Sequence, residues 1–364
     1  MFKIGVIGHT GRGNYGHGLD VVWKSFPNCK IVAVADADPD GLQTAKERLN
    51  VKQGFADYRQ MLDDARPDIV SICPRWLDQH RDMVVAAAER GIHIYMEKPF
   101  CQNLAEADQM VSACEKNDVK LAIAFQTRYS PKLATIRNLI EEGAIGRVLE
   151  VRGRGKEDRR GGGEDLWVLG SHIMNLIQYF AGEPDWCFAN VLQEGNPITK
   201  DQVSNGNEGI GPLVGDNLSA TYGMQNGVFG YFNSQRAVGP GGTGRFGLRI
   251  LGSEGQIDVL TGHLPAAHIL QDPLWNPGRS GKTWQKISSA GISQPEPLQD
   301  GGLAGGNVLA VKDLLESIEE DRLPEANVYE ARTTVEMIAA VFASHLAKEP
   351  VQIPLKNREN PLSR

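Results

Sequence analysis

The stretch KIGVIGHTGRGNYGHGLDVVWKSFPNCKIVAVAD, residues 3–36, decides the fold class. It opens on a short apolar run, breaks into glycines, regains a helical pattern over 20–26 and ends on a second apolar run closed by Asp36. Fully apolar strands separated by helices read as parallel strands covered on both faces. A glycine loop leaving the first strand lets backbone N–H groups approach a pyrophosphate at a helix N-terminus. Here the loop holds G-x-G-x-x-G at Gly11, Gly13 and Gly16, with Gly8 at the strand's end. Such a motif alone equally marks a plain turn. The preceding strand, and an acid at Asp36 twenty residues after Gly16, carry the nucleotide reading. That acid can accept both ribose hydroxyls and would repel a 2′-phosphate, so NAD is expected over NADP.

Working outward, the same alternation continues. LQTAKERLN (42–50), DMVVAAAERG (82–91) and AEADQMVSACEKN (105–117) are helical, while DIVSICP (68–74), IHIYM (92–96) and VKLAIAF (119–125) are apolar strands. Right-handed crossovers make this a doubly wound parallel sheet. After about residue 125 the pattern changes to alternating strands with hairpin signals at Asn226-Gly227 and Gly255. The expected division is 1–124 as a Rossmann NAD-binding domain and 125–364 as an α/β domain for substrate binding and oligomerisation, built on a large, mostly antiparallel open sheet. Residues 194–216, 236–246 and 271–301 read as loops. Near the end, Val308, Val311, Leu315 and Ile318 share one helix face, and Val335, Ile338, Phe342 and Leu346 another.

With 41% hydrophobic and 23% charged residues in 364, the composition is that of a soluble globular chain. A net charge of −7 argues against nucleic acid. No apolar run reaches the roughly 20 residues of a membrane span, and the start runs into a strand without a leader-like segment. The five cysteines are scattered without a C-x-x-C pair, which fits buried thiols in a reducing compartment; the expected location is cytoplasmic. No metal-ligand spacing is evident among the histidines.

Two segments carry chemistry. YMEKPF (95–100) places Lys98 at the carboxyl end of the fifth apolar strand, where open α/β sheets bind ligands. Spacing alone leaves Lys98 equally a surface residue of a strand-to-helix turn. GGGEDLWVLGSHIMN (161–175) holds His172 on an amphipathic helix, where a satisfied core histidine is the ordinary reading. At these residues the chain resembles the Gfo/Idh/MocA sugar and cyclitol dehydrogenases, nearly end to end. The resemblance is carried by GIHIYMEKP, FQTRYSPKL, EEGAIGRVLEVRGR and GSHIMN, and above all by Glu97-Lys98-Pro99. It implies a Rossmann domain followed by an α/β domain whose sheet forms a homodimer or homotetramer interface. It also implies that Lys98 and His172 serve catalysis, and that Pro74, His80, Glu97 and Arg128 line the cofactor site.

Chemically, oxidising an alcohol needs a base for the hydroxyl proton while hydride leaves for nicotinamide. Desolvation and a neighbouring positive charge would lower a lysine toward that task, and an imidazole titrates in the working range already. One departure stands out: the family's aspartate one turn before this histidine is Val168, and Asn175 replaces a frequent acid after it. Asp165, two turns before His172, either takes over that role from the helix start or is a first-turn acid complementing the helix dipole. The basic run Arg152, Arg154, Lys156, Arg159 and Arg160 either holds an anionic substrate or is an exposed loop. The leading expectation is an NAD-dependent oxidoreductase transferring hydride to or from a CH–OH carbon of a sugar, sugar acid or cyclitol. The alternatives are an NAD-retaining lyase or glycosidase that oxidises transiently without net redox, and a non-catalytic NAD-binding regulator.

Overall fold

The computed structural model describes residues 1–237 and 244–363. Its contacts divide the chain into two compact units, one of Met1–Gln126 with Asn207–Gly211 and Leu303–Val335, the other of Thr127–Gly206, Pro212–Gly302 and Glu336–Arg364. Residues 303–335, which the sequence reading gave to the second domain, therefore pack with the first.

The first unit is built on six parallel strands, β1 (Phe2–Ile7), β2 (Cys29–Ala35), β3 (Gln53–Phe55), β4 (Ile69–Ile72), β5 (His93–Met96) and β6 (Leu121–Ile123), in the order β3-β2-β1-β4-β5-β6. Strand order reverses between β1 and β4, the switch point at which such sheets open a crevice. Helices α1 (Pro39–Leu49), α2 (Tyr58–Ala65), α3 (His80–Ala88) and α4 (Leu104–Lys116) supply the connections. Local chemistry starts three of them: Asp38, Asp57 and Asn103 cap α1, α2 and α4 by accepting from Gly41, Arg59 and Glu106 N–H. The helix expected over 20–26 is instead a short 3₁₀ turn, Val22–Ser25. Gly16 and Gly18 have positive φ before it, and Phe26, which precedes Pro27, is extended (φ −117°, ψ 115°), so the turn is ended from both sides.

Register aligns the carboxyl ends of the strands. Ile7 pairs with both Ala35 and Ile72, Ile72 with Met96, and Met96 with Ile123. One residue further on, Gly8, Asp36, Cys73, Glu97 and Ala124 form a row along this edge. At the outer strand, Ala122 bridges Asn327 and Ile123 N–H donates to Ala326 O, so the returning segment closes the β6 edge.

The second unit centres on an eleven-stranded sheet. Its pairs are antiparallel except where Phe229–Gln235 lies parallel to Val148–Arg154. The Asn226-Gly227 hairpin forms as expected, joining Asn217–Met224 to Phe229–Gln235. One face alternates buried Cys187, Ala189, Val191, Leu218, Ala220, Tyr222 and Phe232; the other exposes Phe188 and Phe229. Helices α5 (Pro131–Glu141), α6 (Gly163–Val168) and α7 (Gly170–Ala181) belong to this unit, α7 lying against the sheet. The expected loop at 271–301 contains strands Gln285–Ser288 and Gly291–Ile292, and the one at 194–216 three two-residue strands. The loop expected at 236–246 lies partly outside the described residues. Of the two expected late helix faces, Val311 and Leu315, and Val335, Ile338 and Phe342, are buried, whereas Leu346 is 41% exposed.

Candidate functional site

The row at the carboxyl edge of the first sheet holds three of the expected cofactor residues, Gly8, Asp36 and Glu97. Asp36 is buried at the end of β2. Its Oδ2 accepts from Thr10 Oγ (2.7 Å) and Tyr15 Oη (2.8 Å), and its Oδ1 from Asp38 N–H (3.0 Å), with Thr10 N–H 3.1 Å from both oxygens. A carboxylate that already receives two hydroxyl donors fits the diol of a ribose. Gly11, Gly13 and Gly16 all adopt positive φ, which glycine takes without strain. Gly16 is also a close-approach position: a Cβ there would lie 2.6 Å from Cys73 O and from the Glu97 carboxylate.

Glu97 and His80 depart from the expectation that they line the cofactor site. Glu97 is fully buried; its Oε1 accepts from His17 N–H (2.8 Å) and His17 Nδ1 (2.6 Å), and its Oε2 from Lys98 N–H (3.1 Å). Burial pushes this carboxyl up. The His17 bond and the charges of His17 and Lys98 more than cancel that, leaving it below the usual carboxylate range. An ionised carboxylate only accepts, so His17 Nδ1 carries the proton of their bond. Glu97 thus ties the glycine loop to the strand end that presents Lys98. His80 is 0% exposed, and both ring nitrogens face main-chain oxygens: Nε2 that of Pro74 (2.7 Å), Nδ1 those of Pro99 (2.9 Å) and Phe100 (3.1 Å). A polar ring at that depth must find partners, and these join the end of β4 to the segment after Lys98. Lys98 itself is 6% exposed.

Asn307, missed in the sequence, completes this half. It is 1% exposed; its Oδ1 accepts from Tyr95 Oη (2.8 Å) and Gln126 Nε2 (3.1 Å), and its Nδ2 donates to His17 O (2.9 Å). An asparagine on the apolar face of a late helix was the available signal. Thr10 and Tyr15 were also missed, although both stand in the glycine loop between Gly8 and Gly16.

In the second unit His172 lies in the first turn of α7, half-buried, with Phe246 edge-on at 6.3 Å. Arg128, on the turn Gln126–Tyr129, stacks its guanidinium 3.7 Å from the Tyr179 ring of the same helix. Asp165 does not occupy the helical position expected of it. The helix is interrupted at Leu169, where φ is −117° and ψ −38°, so Asp165 and His172 stand on two separate helices. The carboxylate is 0% exposed and accepts from Ser234 Oγ (2.5 Å), Glu157 N–H (3.1 Å) and Lys156 N–H (3.3 Å). Burial pushes it above its usual range despite these bonds, and the charge of Asp158 adds to the rise. Asp165 organises the turn after the strand Val148–Arg154 and is not available to a substrate. Val168 is 4% exposed and packed as an apolar residue. In the basic run, Arg152 pairs with Glu150, Arg154 with Glu157, and Arg160 and Lys156 with Asp158. Those carboxylates weaken the anionic-substrate reading.

Residues 2–125 match the family model described as an oxidoreductase family with an NAD-binding Rossmann fold, and residues 133–258 match the GFO/IDH/MocA C-terminal domain. A levoglucosan dehydrogenase from Pseudarthrobacter phenanthrenivorans is 28% identical over 249 residues, 62% of this chain and 63% of that protein. The myo-inositol 2-dehydrogenase of Thermotoga maritima is 26% identical over 263 residues, 70% of this chain and 74% of the enzyme. The alignment thus spans just under two thirds of the first relative and about three quarters of the second. Among solved structures, levoglucosan dehydrogenase in complex with NADH and levoglucosan shares the fold, with a TM-score of 0.77 at 22% identity over 97% of this chain and 100% of that one. Two family domains in tandem, matched over residues 2–125 and 133–258, make this chain a member of the Gfo/Idh/MocA oxidoreductase family.

Proposed function

We propose that this protein is an NAD-dependent dehydrogenase that moves a hydride between nicotinamide and a hydroxyl-bearing carbon of a sugar, sugar acid or cyclitol. The observation that carries the reading is the row of Gly8, Asp36, Cys73 and Glu97 at the carboxyl edge, with Lys98 one residue beyond it. The relatives named as levoglucosan and myo-inositol dehydrogenases support the substrate class. Bound NAD would supply the hydride acceptor. Asp36 would hold its adenosine ribose, and the glycine loop would let its backbone come close.

The protein's own part is the proton. Lys98, one residue past the row at the end of β5, and His172, in the first turn of α7, are the residues we propose to handle the proton that a substrate hydroxyl loses as its carbon gives up hydride. His80 and Glu97 position Lys98 without touching substrate. Arg128 stiffens α7 through Tyr179, a support for His172 rather than a cofactor contact.

Two further readings belong with this one. The exposed Phe188 and Phe229 on the open sheet face, 40% and 42% exposed, support a homo-oligomer built on that face. Five free thiols, four of them buried, suit a reducing cytoplasm.

The test is NADH absorbance with a panel of sugars, sugar acids and cyclitols. Multiple-turnover NADH with one of them, reduced about 10³-fold in Lys98→Ala, is the expected result. Substrate loss with retained NAD and no net NADH would overturn the dehydrogenase in favour of the transient-oxidation lyase or glycosidase.

A further inference from the structure

We propose that Tyr15 is an internal competitor for the cofactor's ribose site, a latch carried by the glycine loop that must swing aside before a dinucleotide binds. The inference rests on the reading of Asp36 as the ribose acceptor.

The loop folds on itself to place this side chain. His9 and Asn14 exchange backbone hydrogen bonds at 3.1 and 2.9 Å, and Arg12 N–H closes onto His9 O at 3.0 Å. Asn14 takes the left-handed conformation, with φ of 54°. This small hairpin turns Tyr15 back across the end of β1. Its ring lies so close over Gly8 that a Cβ there would be 2.2 Å from Cε1 and Cζ. The hydroxyl reaches Asp36 Oδ2 at 2.8 Å. Arg48, itself paired with buried Asp20, lies over the ring with its guanidinium 4.4 Å from the centroid.

Two requirements of a dinucleotide are therefore met by one side chain of the protein. A ribose needs the acceptor oxygens of the acid that ends β2, and the phosphates need the surface of the glycines that follow β1. Tyr15 takes part of the first with its hydroxyl, sharing Asp36 Oδ2 with Thr10 Oγ, and covers part of the second with its ring. Burial raises the phenol, and the bond to Asp36 raises it further, so the hydroxyl stays a donor across the physiological range. A ribose hydroxyl offers Asp36 the same kind of bond. Binding then exchanges one donor for another, and the affinity measures only the surplus. Tyr15→Phe keeps the ring on Gly8 and removes the competing donor.

The experiment is isothermal titration of the full-length protein with NAD and with AMP, for the wild type, Tyr15→Phe and Asp36→Ala, together with thermal midpoints in the absence of nucleotide. A hydrogen bond to a charged group corresponds to roughly tenfold or more in affinity. Tyr15→Phe should bind both ligands about tenfold tighter, while its nucleotide-free midpoint falls and recovers when NAD is added. Asp36→Ala should weaken both. Unchanged or weaker binding by Tyr15→Phe, with the wild type binding NAD and Asp36→Ala impaired, overturns the latch and leaves the dehydrogenase reading standing. Absence of NAD binding in the wild type and Tyr15→Phe alike overturns the cofactor reading, and the latch with it.

Discussion

Glu97 and Asp165, one in each unit, are both completely buried carboxylates, and burial pushes both upward. They end on opposite sides of their ordinary values. Glu97 falls below because a histidine bonds to it and a lysine stands next in the chain. Asp165 rises because its partners are a serine hydroxyl and two backbone N–H groups, none of which carries charge, while Asp158 is a nearby anion. Desolvation alone does not decide what a buried acid does; the charge of its partners does.

The largest test of that contrast is Glu97→Ala. It strands the His17 and Lys98 N–H groups and His17 Nδ1, and leaving such donors without a partner costs about 2 kcal/mol. Chemical denaturation should register that loss. Turnover should fall as well, because the segment presenting Lys98 loses its anchor; full activity with unchanged stability would remove Glu97 from any positioning role.

The second test follows stability against pH. A carboxyl depressed on folding binds fewer protons in the native state, so its contribution is present above the unfolded value and lost as pH falls through the folded one. A carboxyl raised on folding works the other way: its contribution is full below the unfolded value and lost as pH climbs through the folded one. The gap between wild type and Glu97→Gln should therefore widen as pH rises from the folded value toward 4.5, and that between wild type and Asp165→Asn should narrow as pH rises above 3.8. Parallel slopes from denaturant melts at several pH values would dissolve the contrast.

Ser234→Ala is the smallest. It removes one of three donors from Asp165, worth about 1 kcal/mol in unfolding free energy, and should leave turnover untouched.

The edge of the first sheet was legible because the apolar runs of β1, β2 and β5 stop where their last buried pairs stop. Gly8, Asp36 and Glu97 could therefore be placed without knowing their neighbours. Their partners were another matter. Ser234 meets Asp165 across 69 residues of chain, and Asn307 meets His17 across 290. No local period encodes such pairs. The same limit explains the errors over His80 and Asp165. The resemblance put His80, and helical spacing Asp165, near the chemistry, while the contacts that surround them, three carbonyl oxygens for His80 and Ser234 for Asp165, lie far off in sequence or outside any local period. Val22–Ser25 departs from the expected helix for the opposite reason: the apolar pattern is there, and the positive-φ glycines before it and the extended Phe26 ahead of Pro27 end the turn.

The return of Leu303–Val335 to the first unit has a consequence for synthesis. The nucleotide-binding unit is not finished when its last strand leaves the ribosome. Until the late segment arrives, the β6 edge is open, and Tyr95, Gln126 and His17 O have no Asn307 to bond. About 200 further residues, Ala124 to Asn327, must be made before that edge is covered, which at 5–20 residues per second takes roughly ten to forty seconds. During that interval the chain carries a nearly complete parallel sheet with one raw edge, the period in which a chaperone or a premature stop would matter most to this protein.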